Sequence, residues 1–171
     1  LDCTVGGAGH TKEIIKRLPP GGRLIGIDAD RDAIDIAAEN LKGFEDKFTL
    51  AHENFRNLDK VLGDLNIDRV DGMVFDLGIS SFQLQDEERG FSFLKGQDLD
   101  MRMDRSSGKP LSQIINRMYE DELGPIIRDY GQERFWRRVA KQIVSERKRA
   151  PIEDVQRLAE IVRGAVRPSK K

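Results

Sequence analysis

Over the first 77 residues, apolar positions follow two alternating rhythms. Short aliphatic runs at 23–28, 47–51 and 71–77 are separated by stretches in which apolar residues return every three or four positions. Helices are predicted over 11–18, over 32–41 with Ile34, Ala37, Ala38 and Leu41 on one face, and over 55–65. Pro19-Pro20-Gly21-Gly22 ends the first of these as a breaker, and residues 1–3 read as the tail of a further strand. Strands spaced by helices of this length predict an α/β fold built on a parallel, doubly wound sheet.

The rhythm lapses between Gly78 and Lys109. That stretch still carries Phe82, Phe91, Phe93, Leu94, Leu99, Met101 and Met103, too much apolar side chain for a solvated linker. A long irregular segment of this kind is expected to be functional. Helical periodicity then returns. Leu111, Ile114, Ile115 and Met118 share a face, as do Leu123, Ile126 and Ile127, and Gly131 stops that helix. Residues 132–149 place Phe135, Trp136, Val139, Ala140, Ile143 and Val144 on one stripe. Pro151 is expected in the first turn of a last helix, with Ile152, Val155, Leu158, Ala159 and Val162 facing inward. The chain therefore divides into 1–108, including a loop at 78–108, and an all-helical module at 109–171. Four strands followed only by helices, ending at Pro168-Ser169-Lys170-Lys171, leave a doubly wound sheet short. The expectation is a fragment lacking the first residues and the later strands.

Charge sharpens this division. The net charge is −1, yet residues 1–108 carry 14 Lys and Arg against 21 Asp and Glu, and residues 109–171 carry 15 against 9. The basic half is the candidate nucleic-acid surface. Cys3 is the sole cysteine, which excludes an intrachain disulfide and a thiolate metal cluster, and no metal site is expected. With no long apolar run and no secretory pattern, the chain reads as cytoplasmic with no membrane partner.

The chemistry concentrates at two strand ends. Asp2-Cys3-Thr4-Val5-Gly6-Gly7-Ala8-Gly9-His10 lies between a strand and a helix, where glycines let backbone approach a ligand. Asp28 ends the next strand nineteen residues after Gly9, where an acid can accept from both ribose hydroxyls of an adenosine. Dinucleotide folds need another glycine where Lys12 stands, and no Gly-Lys-Ser/Thr follows to make a P-loop. Asp2, beside the turn, would repel a pyrophosphate and attract an ammonium. S-adenosylmethionine fits this set best. At the second strand end, Asp76, Ser80 and Ser81 are candidate catalytic residues, because methylating an exocyclic amine requires acceptors for its N–H groups. Phe82, Phe91 and Phe93 are available to hold a base that has left its stack.

The run Asp76-Leu77-Gly78-Ile79-Ser80-Ser81-Phe82-Gln83-Leu84 resembles the RsmH (MraW) family of small-subunit rRNA methyltransferases. So do Arg89-Gly90-Phe91-Ser92-Phe93, Leu99-Asp100-Met101-Arg102-Met103-Asp104, the opening turn and Tyr130-Gly131-x-Glu133-Arg134-Phe135. The resemblance spans essentially all of the chain, though Gln97-Asp98 stands where Gly-Pro is usual. It implies a class I S-adenosylmethionine-dependent methyltransferase, Rossmann-like, with an inserted helical module. The implied activity is N4-methylation of a cytidine in the decoding region of 16S-type rRNA, on the RNA or the assembled small subunit; a homodimer is left open. The implied cofactor contacts are Ala8, Gly9, His10, Asp28, Phe55, Asp76 and Gln83. Phe55 and Gln83 rest on the resemblance alone. Arg89, Arg134, Arg137, Arg138 and Lys141 are candidate RNA contacts, against the alternative of a solubilising face. A non-catalytic cofactor- or RNA-binding fragment, or a methyltransferase of another substrate, are the competing readings.

Overall fold

The computed structural model of this chain describes residues 1–93 and 98–166. Leu94, Gln97 and the terminal 168–171 lie outside the described residues. By internal contacts the chain forms two units, Leu1–Ser80 with Met103–Ser106, and Ser81–Arg102 with the described residues from Ser107 onward. The boundary expected at 108 groups the whole irregular loop with the first half; most of that loop belongs instead with the helices.

In the first unit, strands β1 (Leu24–Asp28) and β2 (Phe48–His52) pair in parallel, Leu24 opposite Phe48 through Asp28 opposite His52. Alternate residues of β1 face opposite sides of the sheet. Leu24 joins Val5, Ala8, Ile15, Ile34, Ala37 and Leu41 in one buried cluster. Ile25 and Ile27 join Val61 in another. Helices α1 (Gly9–Ile15) and α2 (Arg31–Asn40) supply the first cluster, and α3 (Leu58–Asp64) the second. Strands covered on both faces read as near-continuous apolar runs, which is why 23–28 is legible as one. Gly26 is obligatory, since a Cβ there would fall 2.8 Å from Leu50 Cδ2 and 2.9 Å from Val5 Cγ2.

The first residues extend the sheet beyond β1. Asp2 N–H donates to Ile25 O (2.8 Å), Ile27 N–H to Asp2 O (2.8 Å) and Val5 N–H to Ile27 O (3.0 Å). On its other side Asp2 bridges Val74 in parallel, with Cys3 N–H donating to Val74 O at 2.9 Å. The spatial order is thus 71–77, 1–5, β1, β2. The expected full strand at 71–77 is instead a segment bridged only at Val74. Its outward side meets no strand among the described residues, and Met73, Phe75 and Leu77 stay exposed.

The helix expected over 55–65 starts with a 3-10 turn, Phe55–Asn57, before α3, because the Asn54 carboxamide accepts from Arg56 N–H.

The second unit comprises α4 (Ser81–Gln85), α5 (Leu111–Arg117), α6 (Glu120–Asp129), α7 (Trp136–Arg147) and α8 (Val155–Val166). Leu99, Ile115, Leu123, Val139, Ala140, Ile143, Ile152 and Ile161 form its core. The short α4 falls within a segment expected to be irregular. Pro151 does not open α8. Asp154 caps that helix by accepting from Arg157 N–H (2.8 Å), and Ile152 is held outside it by donating to Asn116 Oδ1 (3.0 Å). A capping carboxylate outranks proline's preference for a first helical turn.

Candidate cofactor site and basic face

In the order 71–77, 1–5, β1, β2 all neighbours run parallel, and the sequence in which strands are added reverses between segments 1–5 and 71–77. Ligands of open parallel sheets bind at the carboxyl ends of strands beside such a switch point. Thr4–Gly9 leaves the first segment there and Asp76 ends the second. Thr4 ties them together, its hydroxyl oxygen accepting from Asp76 N–H at 2.7 Å.

The turn is held in an unusual backbone shape. Gly6 has φ 49°, and Ala8, only 1% exposed, has φ 65°. Left-handed alanine costs energy, and such residues persist where surroundings over-determine them, often at ligand sites. The surroundings here are two carboxylates. Asp28 Oδ2 accepts from Gly6 N–H (2.8 Å) and Oδ1 from Asp30 N–H (2.9 Å). Burial pushes the Asp28 carboxyl above its ordinary pKa, opposed by those two backbone N–H groups. Each oxygen retains a lone pair for a further donor. A Cβ built on Gly9 meets nothing within 4 Å, so the turn's tip borders open space.

Asp2 is not a ligand-facing charge. It is 1% exposed, its Oδ2 accepts from the Thr11 hydroxyl (2.6 Å) and its Oδ1 from Thr4 N–H (3.2 Å). It clamps turn to helix, and the expected attraction for a ligand ammonium is withdrawn.

His10 and Asp76 lie on the exposed rim, Nδ1 to Oδ2 3.7 Å. Phe55 stands edge-on to Phe75 at 90°, with ring centroids 5.6 Å apart and both rings more than a third exposed. Sequence alone does not single out Phe75, because a phenylalanine in an apolar run reads as core; it is exposed because no strand lies on its outer side among the described residues. Thus Ala8, Gly9, His10, Asp28, Phe55 and Asp76 belong to the first unit, as does half-buried Ser80. Gln83, 5% exposed, and Ser81 belong to α4 of the second.

Arg89 contradicts its assignment as an RNA contact. At 1% exposure it donates to Arg102 O (3.4 Å), and its backbone carbonyl accepts from Met101 N–H (2.9 Å). It organises the loop and presents no surface to a phosphate. Arg134, Arg137, Arg138 and Lys141 are exposed or half-buried on α7 and the turn before it. Arg134 and Arg138 sit 5.7 and 5.4 Å from the Phe135 ring centroid, and Arg137 4.1 Å from that of Trp136. Arg147 is different, since it donates to the carbonyls of Ile115 (2.5 Å) and Met118 (2.7 Å) and ties α7 to the end of α5. Among the described residues no helix is long and apolar enough to cross a membrane.

Residues 1–171 match the family model described as the MraW methylase family. The chain is 47% identical over 170 residues to a Clostridium botulinum (strain Kyoto / Type A2) protein named Ribosomal RNA small subunit methyltransferase H. It is 49% identical over 170 residues to a protein of that name from Lachnospira eligens, and 46% over 166 residues to one from Brevibacillus brevis. These matches cover 99%, 99% and 97% of this chain and 54%, 54% and 53% of the relatives. The chain spans about half the length of the curated relatives it matches.

Proposed function

The chain belongs to the MraW methylase family, and from that premise we propose that it carries the cofactor turn and an RNA-facing helical module of a class I methyltransferase. The proposed reaction is S-adenosylmethionine-dependent N4-methylation of a cytidine in the decoding region of small-subunit rRNA. The relatives' shared name supports the substrate. The observation that carries the cofactor is Asp28, fixed by Gly6 and Asp30 beside the open tip of the Ala8–Gly9 turn.

The residues present fit the cofactor. Asp28 offers a lone pair on each oxygen to two ribose hydroxyls, the backbone of Ala8, Gly9 and His10 lies close to where it would sit, and the exposed Phe55 ring offers a flat face to adenine. When bound, S-adenosylmethionine supplies an electrophilic methyl group. Asp76 accepts hydrogen bonds from the cytosine amine, turning the nitrogen lone pair toward the reacting carbon, and Ser80 adds a polar contact to the base. The exposed cations of α7 hold phosphates. The role of Gln83 rests on the resemblance alone.

The test is transfer of a labelled methyl group to small-subunit RNA, using the protein at its relatives' full length, followed by mass analysis of the nucleosides. N4-methylcytidine is the expected product. Methylation of another nucleoside rejects the cytidine assignment, and tight binding of S-adenosylhomocysteine without any transfer favours a cofactor-binding module.

A further inference from the structure

A groove of about 710 Å³ runs along α7 within the second unit. Its floor is Ala140 and Val144, with Trp136 toward one end and Lys148 toward the other. Residues 136 to 148 on a helix span about 18 Å. Beside them stand Tyr119 and the acidic start of α6, Glu120 and Asp121.

Two aromatic side chains shape this groove, Trp136 and Tyr119. Gly124, inside α6, costs roughly 1 kcal/mol relative to alanine, and its place is taken up by the Trp136 ring, since a Cβ would fall 2.7 Å from Cζ3. That seat positions the indole under the Arg137 guanidinium, 4.1 Å from the ring centroid, with Arg128 at 5.4 Å. Tyr119, meanwhile, is 73% exposed. Arg137 and Lys148 make no ion pair among the described residues, whereas Arg147 is spent on carbonyls of this unit.

Charge selects the occupant. Cations lie at both ends along α7 and carboxylates line the α6 side. A single-stranded nucleic acid matches both, its phosphates along α7 and the N–H groups of its bases toward Glu120 and Asp121. Guanidinium planes and tyrosine rings are the surfaces on which unpaired RNA bases stack. We propose that this groove binds an unpaired stretch of the RNA substrate, its base stacked on Tyr119 and its phosphates on Arg137 and Lys148. The proposal rests on the RNA-methyltransferase reading above and deepens it.

Trp136 is the only tryptophan in the chain, so its emission reports on this groove directly. The experiment titrates the chain with oligocytidine, following Trp136 emission and, in parallel, the anisotropy of a labelled copy of the oligonucleotide. Saturable quenching that tracks anisotropy is expected. Tyr119→Ala should weaken binding by about 5- to 150-fold, the range for losing one base–aromatic stack, while Tyr119→Phe retains it. Lys148→Gln should lower the slope of log affinity against log salt by about 0.7. Binding by anisotropy with unchanged emission and no effect of Tyr119→Ala overturns the groove and leaves the RNA reading standing. No binding even at low salt also overturns the groove, and methyl transfer to small-subunit RNA then decides the RNA reading independently. Emission that varies with protein concentration alone would mean that a second copy fills the groove, which rejects the proposal.

Discussion

The cofactor turn and the basic face of α7 are built on opposite principles. The turn is backbone held in place by two carboxylates, buried Asp2 accepting from Thr4 and Thr11 and half-buried Asp28 accepting from Gly6 and Asp30. The face on α7 is side chain displayed on a regular helix whose stability comes from Val139, Ala140 and Ile143 on its other side. A buried polar network fails when one member is removed, because the partner left behind stays desolvated. A set of exposed cations weakens one phosphate at a time. Geometry at the first site is therefore all-or-none, and affinity at the second is graded.

The largest effect should come from Asp2→Ala. It leaves the Thr11 hydroxyl and Thr4 N–H without an acceptor in a site 1% exposed, for a loss of about 1–3 kcal/mol of folding stability. Urea denaturation measures it, and the turn's cofactor affinity should fall as well. Wild-type stability would mean that the clamp is dispensable and the contrast is wrong. Next is Asp28→Ala, which removes the acceptor for Gly6 and Asp30 as well as for a ribose, costing about 1–3 kcal/mol of affinity for S-adenosylhomocysteine by calorimetry. Unchanged affinity in a folded variant would remove Asp28 from the site.

Acidity should produce a smaller and sharper difference. Burial raises the Asp28 carboxyl, so as pH falls it takes up its proton before an ordinary carboxylate would. In the proposed site ionised Asp28 is the acceptor, so cofactor affinity should begin to decline above the usual carboxylate range, and Asp28→Asn should flatten that profile. The sign for folding is the reverse. A carboxyl raised in the folded state opposes folding while ionised, and that cost is relieved below its raised pKa. Binding on the α7 face does not involve Asp28 and should not follow that profile.

Smallest is the effect of Arg137→Ala with Lys141→Ala. Stability should change by no more than about 0.5 kcal/mol. The salt dependence of RNA binding should become shallower by roughly 0.7–0.9 in log–log slope for each phosphate interaction removed. Identical slopes would reduce the face to a solubilising surface.

Much of this protein is legible in the order of its residues. The helical stripes of α2, α7 and α8, the buried run of β1, the glycine turn and the acid that ends β1 depend on local periodicity and spacing. What escapes such a reading is side-chain direction. Asp2 reads as a charge near a ligand until Thr11 is brought within 2.6 Å of it. Arg89 reads as a surface cation until the loop folds around it. Phe75 reads as core until no strand is found beside it among the described residues, and Pro151 reads as a helix start until Asp154 caps α8 three residues later. Sequence alone determines which residues can form an element and which types of group lie at its ends, because those follow from backbone propensity and period. Whether a polar group faces a ligand, a neighbour or water is decided by tertiary structure, because burial and hydrogen-bond partners come from residues distant in the chain.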